Sequence, residues 1–253
     1  MKAIGAIFSK QLVDLPKNMS VTIMFIMFPI LSFIMTGIMG GDDPLQAAMM
    51  NVQFAMMFVG MTPLVTVANT IAEDNEYKSL RFMVTAGVRP GQYLTGIMGF
   101  TMLVCIVPLA LFALIGGFGG QELLIFLAFG FVGIVASCIL GAVVGIFSKN
   151  VQQCAAIYSP LMMLLAFAPF LSMFNETIAV ITSPLFTTRI FESLSDMTLP
   201  EYFTVYQAGE YVTTAREAIS TVSLPISLAI IAANALTFAI LFAVAYRKKG
   251  LRG

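Results

Sequence analysis

The fold class this sequence predicts is an all-α membrane protein with six transmembrane helices, and three observations predict it. The 253 residues are 59% hydrophobic and 10% charged, with a mean hydropathy of +0.94, whereas a soluble domain charges about a quarter of its residues. Stretches free of Asp, Glu, Lys and Arg, each long enough at about 1.5 Å per residue to cross roughly 30 Å of hydrocarbon, occur six times. The charged residues collect between those stretches.

The spans run approximately from Met19 to Met39, Gln46 to Ala72, Leu94 to Ile115, Leu123 to Phe147, Cys154 to Phe174 and Leu224 to Tyr246. Pro29, Pro63, Pro108, Pro160 and Pro169 fall inside them and predict kinks rather than breaks, because neighbouring helices satisfy the freed backbone groups. Residues 19–253 are thus expected to form one six-helix domain.

Residues 1–18 precede it. Ile4, Ile7, Phe8, Leu12 and Leu15 share one helical face, with Lys2, Ser9 and Lys10 on the other. This suits an amphipathic helix on the cytoplasmic membrane surface or, equally, a leader packed on the rest of the chain. Asp14, Pro16 and Lys17 interrupt the segment before the first apolar run, which argues against a cleaved signal peptide.

Six spans put both termini on one side. If that side is cytoplasmic, eleven of the thirteen Lys and Arg are inside and only Arg189 and Arg216 are outside, the distribution expected of cytoplasmic termini.

Composition excludes several functions. There is no histidine, hence no Ser-His-Asp or Cys-His pair and no His-bound zinc. Cys105, Cys138 and Cys154 lie in or beside apolar runs without metal-ligand spacing and read as small buried residues. The net charge of zero gives no basic field for nucleic acid. No acid or base lies within a span, which argues against ion-coupled transport. No G-x-x-x-x-G-K-[ST] occurs either, so a driving nucleotide site belongs to another chain.

Such a chain would need a cytoplasmic handle. The loop 73–93 between spans two and three holds Glu73, Asp74, Glu76, Lys78, Arg81 and Arg89. A short helix is expected here, with Asp74 or Asn75 as N-cap, the acids in its first turn and Gly87 in a left-handed terminal position. Tyr77, Leu80 and Val84 share its apolar face, and Pro90 opens the next helix. This pattern suits docking into a groove on a soluble partner; a solvated interfacial helix is the competing reading.

The segment "IAEDNEYKSLRFMVTAGVRPGQYLTGI" resembles the cytoplasmic loop of type-2 ATP-binding-cassette (ABC) permeases. Glu73 and Glu76 match the acids, Ser79-Leu80 the Thr-Leu step, Thr85 to Val88 the later step, and Tyr93-Leu94-Thr95-Gly96 the lead-in to the third span; Lys78 stands where the family usually has Gly. The resemblance implies that Glu73, Asp74, Glu76, Tyr77, Lys78, Leu80, Arg81 and Val84 form a coupling helix on a separate ATPase subunit. It further implies two ATPase copies binding ATP and Mg, a second permease copy, surrounding membrane lipid and a bacterial cytoplasmic membrane. Export of a hydrophobic or amphiphilic compound follows from the same resemblance. A passive channel and a non-transporting immunity or scaffold subunit are the alternatives.

Three further features have two readings each. In the external segment 175–223, Ser183-Pro184 resembles a helix start before "LFTTRIFESL", and "YFTVYQAGEYVTTAREAI" offers a second helical run. Similar permeases place two short helices there, making Pro184, Phe186, Arg189 and Phe191 a candidate external gate; a subdomain without gating work is the alternative. Thr62, Thr66 and Asn69 form a polar stripe in span two, either a substrate path or hydrogen bonding between helices. Ser137, Gly141 and Gly145 form a small-residue ridge for close helix approach, between subunits or within one bundle.

Overall fold

The computed structural model describes residues 2–39, 44–79, 82, 85, 87–172, 176–198, 202–207, 210–215 and 224–249. In chain order it contains α1 (Lys2–Asp14), a 3-10 turn (Leu15–Lys17), α2 (Met19–Met39), α3 (Pro44–Glu76), α4 (Pro90–Ile115), α5 (Gly120–Phe147) and α6 (Val151–Ser172). There follow α7 (Glu176–Thr182), α8 (Phe186–Thr198), strands β1 (Tyr202–Gln207) and β2 (Glu210–Ala215), and α9 (Leu224–Lys249). Six of these helices, α2 to α6 and α9, are long and apolar enough to cross a membrane. The helices continue through all five internal prolines.

The hub is α3, which packs against α2, α4, α5, α6 and α8. Phe58 at its middle is fully buried and meets Phe25 and Phe28 of α2 at ring-centroid distances of 6.0 and 6.3 Å and Phe112 of α4 at 5.7 Å. Two of these contacts are edge-on, the arrangement aromatic quadrupoles favour. Asn51 adds a polar tie, accepting from Ser32 Oγ at 2.8 Å and donating to the Phe112 carbonyl at 2.9 Å. One fully buried amide thereby joins three helices.

The small-residue ridge packs within this one bundle. Ser137 Oγ donates to the Val59 carbonyl at 2.6 Å. A Cβ on Gly141 would stand 2.5 Å from the Leu64 carbonyl oxygen, and one on Gly145 2.7 Å from Ile71 Cβ. Here α5 lies directly on the backbone of α3.

Between α6 and α9, the described residues include the short helices α7 and α8. α8 buries Phe186, Ile190 and Leu194, spaced one turn apart. Its depth is fixed at Gly133, where a Cβ would meet both Val59 Cγ1 (2.5 Å) and Ile190 Cδ1 (2.9 Å). Val59 lies mid-way along α3, so α8 reaches well into the bundle.

Two expectations for this region are corrected. Ser183 and Pro184 form the turn between α7 and α8 rather than the start of α8, and Ser183 Oγ donates back to the Val180 carbonyl at 2.9 Å. The second helical run forms an antiparallel hairpin over its described part, with Tyr202 opposite Ala215 and Gln207 opposite Glu210. Its β-branched and aromatic content, Tyr-Phe-Thr-Val-Tyr and Tyr-Val-Thr-Thr, explains why a strand pair wins over a helix.

At the periphery, α9 buries Ser227 and Ile231 and leaves Leu228, Leu236, Ile240, Leu241 and Val244 exposed. α2 and α4 likewise present apolar outer faces, including Phe33, Ile38, Val107 and Leu114. In a spanning bundle these faces meet lipid.

Candidate functional site

The charged island begins where α3 ends. Successive residues of a helix fan out by about 100°, and three side chains of the last turn use that fan to reach four neighbouring helices. Asp74 is 3% exposed; Lys10 Nζ of α1 reaches its Oδ1 at 2.6 Å, and Tyr93 of α4 donates its hydroxyl to Oδ2 at 2.7 Å. Asn75 Nδ2 donates to the Gly145 and Ser148 carbonyls at 3.3 and 3.1 Å. Glu76 Oε2 accepts the Val151 N–H at 3.0 Å.

Asn75 and Glu76 act on helix ends. The last carbonyls of α5 and the first N–H groups of α6 have no partners within their own helices, and the two side chains supply them. Asn150 Oδ1 accepts the Gln153 N–H at 2.8 Å, and Gln153 Oε1 accepts the Lys149 N–H at 2.9 Å, completing a reciprocal cap on α6. A negative carboxylate at the start of α6 also faces the positive end of that helix dipole.

The expected start of the handle helix is therefore corrected. Glu73, Asp74, Asn75 and Glu76 occupy the last turn of α3 rather than the first turn of a new helix. Nothing between Pro63 and Glu76 breaks the helix, and three of those side chains find partners only if it continues. It stops at Lys78, whose φ of 58° is left-handed, a conformation that costs a non-glycine residue roughly 1–2 kcal/mol. This is the position where similar permeases carry Gly.

Beyond Lys78, Ser79, Phe82 and Thr85 are helical, while Leu80, Arg81 and Val84 lie outside the described residues. Gly87 takes the expected left-handed conformation, φ +80°, and Pro90 is the first residue of α4. Glu73, Glu76, Tyr77 and Lys78 are exposed. Asp74 is enclosed, so its carboxylate serves the bundle's interior.

The polar stripe is also internal. Thr62, Thr66 and Asn69 are all buried; Thr66 Oγ1 donates to the Thr62 carbonyl at 2.7 Å, and Asn69 Nδ2 donates to Tyr158 Oη of α6 at 3.4 Å. Thr62 Oγ1 and Asn69 Oδ1 have no protein partner.

At the opposite end, Phe186 and Phe191 are buried and Pro184 is exposed. Phe186 meets Phe238 of α9 edge-on at 6.1 Å, and the Pro184 carbonyl accepts from Asn234 Nδ2 at 2.7 Å. Arg189 donates to the Ser183 carbonyl at 2.6 Å and to Glu192 at 2.9 Å. Burial pushes the Glu192 carboxyl above its ordinary value, with Arg189 pulling it back. These four residues seat α8 between the long helices.

Sequence reasoning missed Lys10, Asn75, Tyr93 and Asn150 as parts of one cluster. Lys10 and Tyr93 lie 64 and 19 residues from Asp74, and no spacing rule connects them. The available hint was the Tyr93 to Gly96 motif: Tyr93 holds Asp74, and Gly96 lets Ile7 of α1 approach, since a Cβ there would stand 2.8 Å from Ile7 Cγ2.

Among known proteins, a family model described as ABC-2 family transporter protein matches residues 43–247, well over half of the chain. No curated protein matches it significantly.

Proposed function

The chain belongs to the ABC-2 family of transporter proteins, and from that membership we propose that it is the permease subunit of an ATP-driven exporter of a hydrophobic or amphiphilic compound. Two copies of a separate ATPase, binding ATP and Mg, energise two permease copies, identical or similar. The termini and the loop after α3 face the cytoplasm of a bacterial cell, following the eleven Lys and Arg on that side.

The observation that supports this reading best is the continuity of α3. The most buried spanning helix runs unbroken to Glu76, so the first residues of the handle are its own last turn. A push on the handle therefore enters the hub helix directly. Asp74, Asn75 and Glu76 pass it on to α1, α4, α5 and α6 through the bonds at that end. Because Asn69 reaches Tyr158 across the α3 and α6 contact, a substrate path along Thr62, Thr66 and Asn69 would open as those helices part.

Gentle purification from native membranes, with mass identification of the accompanying chains and an assay of ATP hydrolysis, tests the proposal. A stoichiometric ATPase is expected. A pure protein indifferent to nucleotide would assign the chain to the passive or non-transporting class.

A further inference from the structure

Between their ends the six long helices carry no acid or base, yet α8 brings charge to their mid-depth. Ile190 reaches the point where Gly133 faces Val59, and those two residues lie at the middle of α5 and of α3. Phe186, one turn earlier, meets Phe238 near the middle of α9. Arg189 stands between Phe186 and Ile190 in the chain. The Ser183 carbonyl that its Nε holds belongs to the turn bonded to Asn234, well inside α9.

A charge at that depth is held by an opposite charge or by water, not by lipid. Arg189 and Glu192 do pair, Nη1 to Oε2 at 2.9 Å, but the pair is not used up. A guanidinium has five N–H donors, and Arg189 gives one to Ser183 and one to Glu192. Its Nη2 and the Glu192 Oε1 have no partner among the described residues. The two side chains remain 13% and 27% exposed. Asp196, one turn beyond Glu192 on the same face, adds a second negative charge.

This face, one base followed by two acids, discriminates against simple ions. An anion alone would sit against two carboxylates, and a cation alone against the guanidinium. A head carrying both charges meets each with its opposite: phosphate on the planar donor fork of Arg189, ammonium on Glu192 in the field of Asp196. An apolar tail finds surface beside the same turn, where Val180 and Ile181 of α7 are exposed.

We propose that the Arg189, Glu192 and Asp196 face of α8 binds the zwitterionic head, phosphate with ammonium, of the amphiphile that the permease exports. The proposal rests on the permease reading and names the class of its cargo.

Binding is measured by native mass spectrometry of the permease in dodecyl maltoside. Lysophosphatidylethanolamine, lysophosphatidylglycerol and monoacylglycerol of one chain length are the probes. The first two share the phosphate and differ in the ammonium. The wild type should bind lysophosphatidylethanolamine roughly tenfold tighter than lysophosphatidylglycerol, the worth of one charge-assisted contact, and monoacylglycerol more weakly still. Glu192→Gln keeps an acceptor for Arg189, and with it the fold of the turn, but should bring lysophosphatidylethanolamine down to the level of lysophosphatidylglycerol. Glu122→Gln, an equal charge change in the first turn of α5, should bind as the wild type does. Equal binding of the three probes by the wild type, or a preference that survives Glu192→Gln, overturns the proposal. In vesicles holding the permease with its ATPase, ATP should release bound lysophosphatidylethanolamine. Retention through ATP turnover would mark a resident lipid and overturn the cargo assignment. Selective binding by a chain that pairs with no ATPase would uphold the head-group site and overturn the permease reading.

Discussion

Asp74→Ala is expected to destabilise the protein by about 2–3 kcal/mol and to release α1 from the bundle. Asp74 is nearly inaccessible, and its two oxygens are divided between Lys10 and Tyr93. Truncation strands the hydroxyl of Tyr93, a residue only 5% exposed, at a cost of about 1–3 kcal/mol. Removing one member of a fully buried ion pair costs about 3–5 kcal/mol. Lys10 is 44% exposed in its side chain, so water takes over part of its solvation and the lower end applies.

Asp74→Asn separates the contributions. The amide oxygen still accepts from Tyr93, while an amide nitrogen replaces the oxygen that Lys10 donates to, so the charge and the Lys10 hydrogen bond are lost together and a penalty of about 1–2 kcal/mol is expected. Thermal unfolding in detergent gives the size of each effect, and amide hydrogen exchange gives its place. Residues 4–13 should exchange faster in Asp74→Ala, while Val151 and Gln153, held by Glu76 and Asn150, should not. Unchanged protection of α1 would mean that its apolar contacts, Ile7 on Gly96 and Phe8 on Phe100 at 5.2 Å, hold it without the ion pair.

What the sequence disclosed follows from the range of the physics involved. Apolar runs of spanning length are a local signal, so all six long helices were legible, as was the left-handed Gly87 before Pro90. The end of α3 was not. A run of acids after an apolar stretch reads locally as a new helix start, because acids favour first turns. The partners that keep α3 going to Glu76 come from α1, α4, α5 and α6, and no local pattern reports them. The hairpin at Tyr202 was hidden differently: its residues carry β propensity, but the helical layout of similar permeases pointed the other way.

The candidate site divides along the same line. The Tyr93 to Gly96 motif was visible, yet its physical meaning, a hydroxyl for Asp74 and a gap for Ile7, needed α1 in place. The structure also sorts the charges of the island. In the sequence it has three acids and three bases. In the fold Asp74 is buried, while Glu73, Glu76, Lys78 and Arg89 stay exposed.

Gly141→Ala is expected to be the most damaging single-methyl change in the bundle. A Cβ at Gly141 would lie 2.5 Å from the Leu64 carbonyl oxygen and 3.1 Å from both its C and Cα. These are backbone atoms of the hub helix, which cannot rotate aside as a side chain can. α5 must back away from α3, loosening Ser137 on Val59 and the packing around Ala68 and Ile71. Overpacking a core costs about 1–3 kcal/mol, and occasionally more; a backbone obstacle places this variant at about 3 kcal/mol or above.

Three glycines form a graded comparison that remains informative if Gly141→Ala fails to fold. Gly37→Ala meets nothing within 4 Å and should be neutral or slightly stabilising, since Ala is the better helix former by about 1 kcal/mol. Gly130→Ala meets the flexible end of Leu109 at 2.5 Å, which can turn away, so an intermediate loss is expected. Folded yield and thermal midpoint should fall in the order Gly37, Gly130, Gly141. Gly145→Ala, one turn along and facing Ile71 Cβ at 2.7 Å and the Ala68 oxygen at 3.0 Å, should add little to Gly141→Ala. Once α5 has moved off α3 for one methyl, it has made room for the other, so the two losses combine to less than their sum. Full additivity would mean that each glycine is accommodated locally and that α5 does not move as a rigid rod.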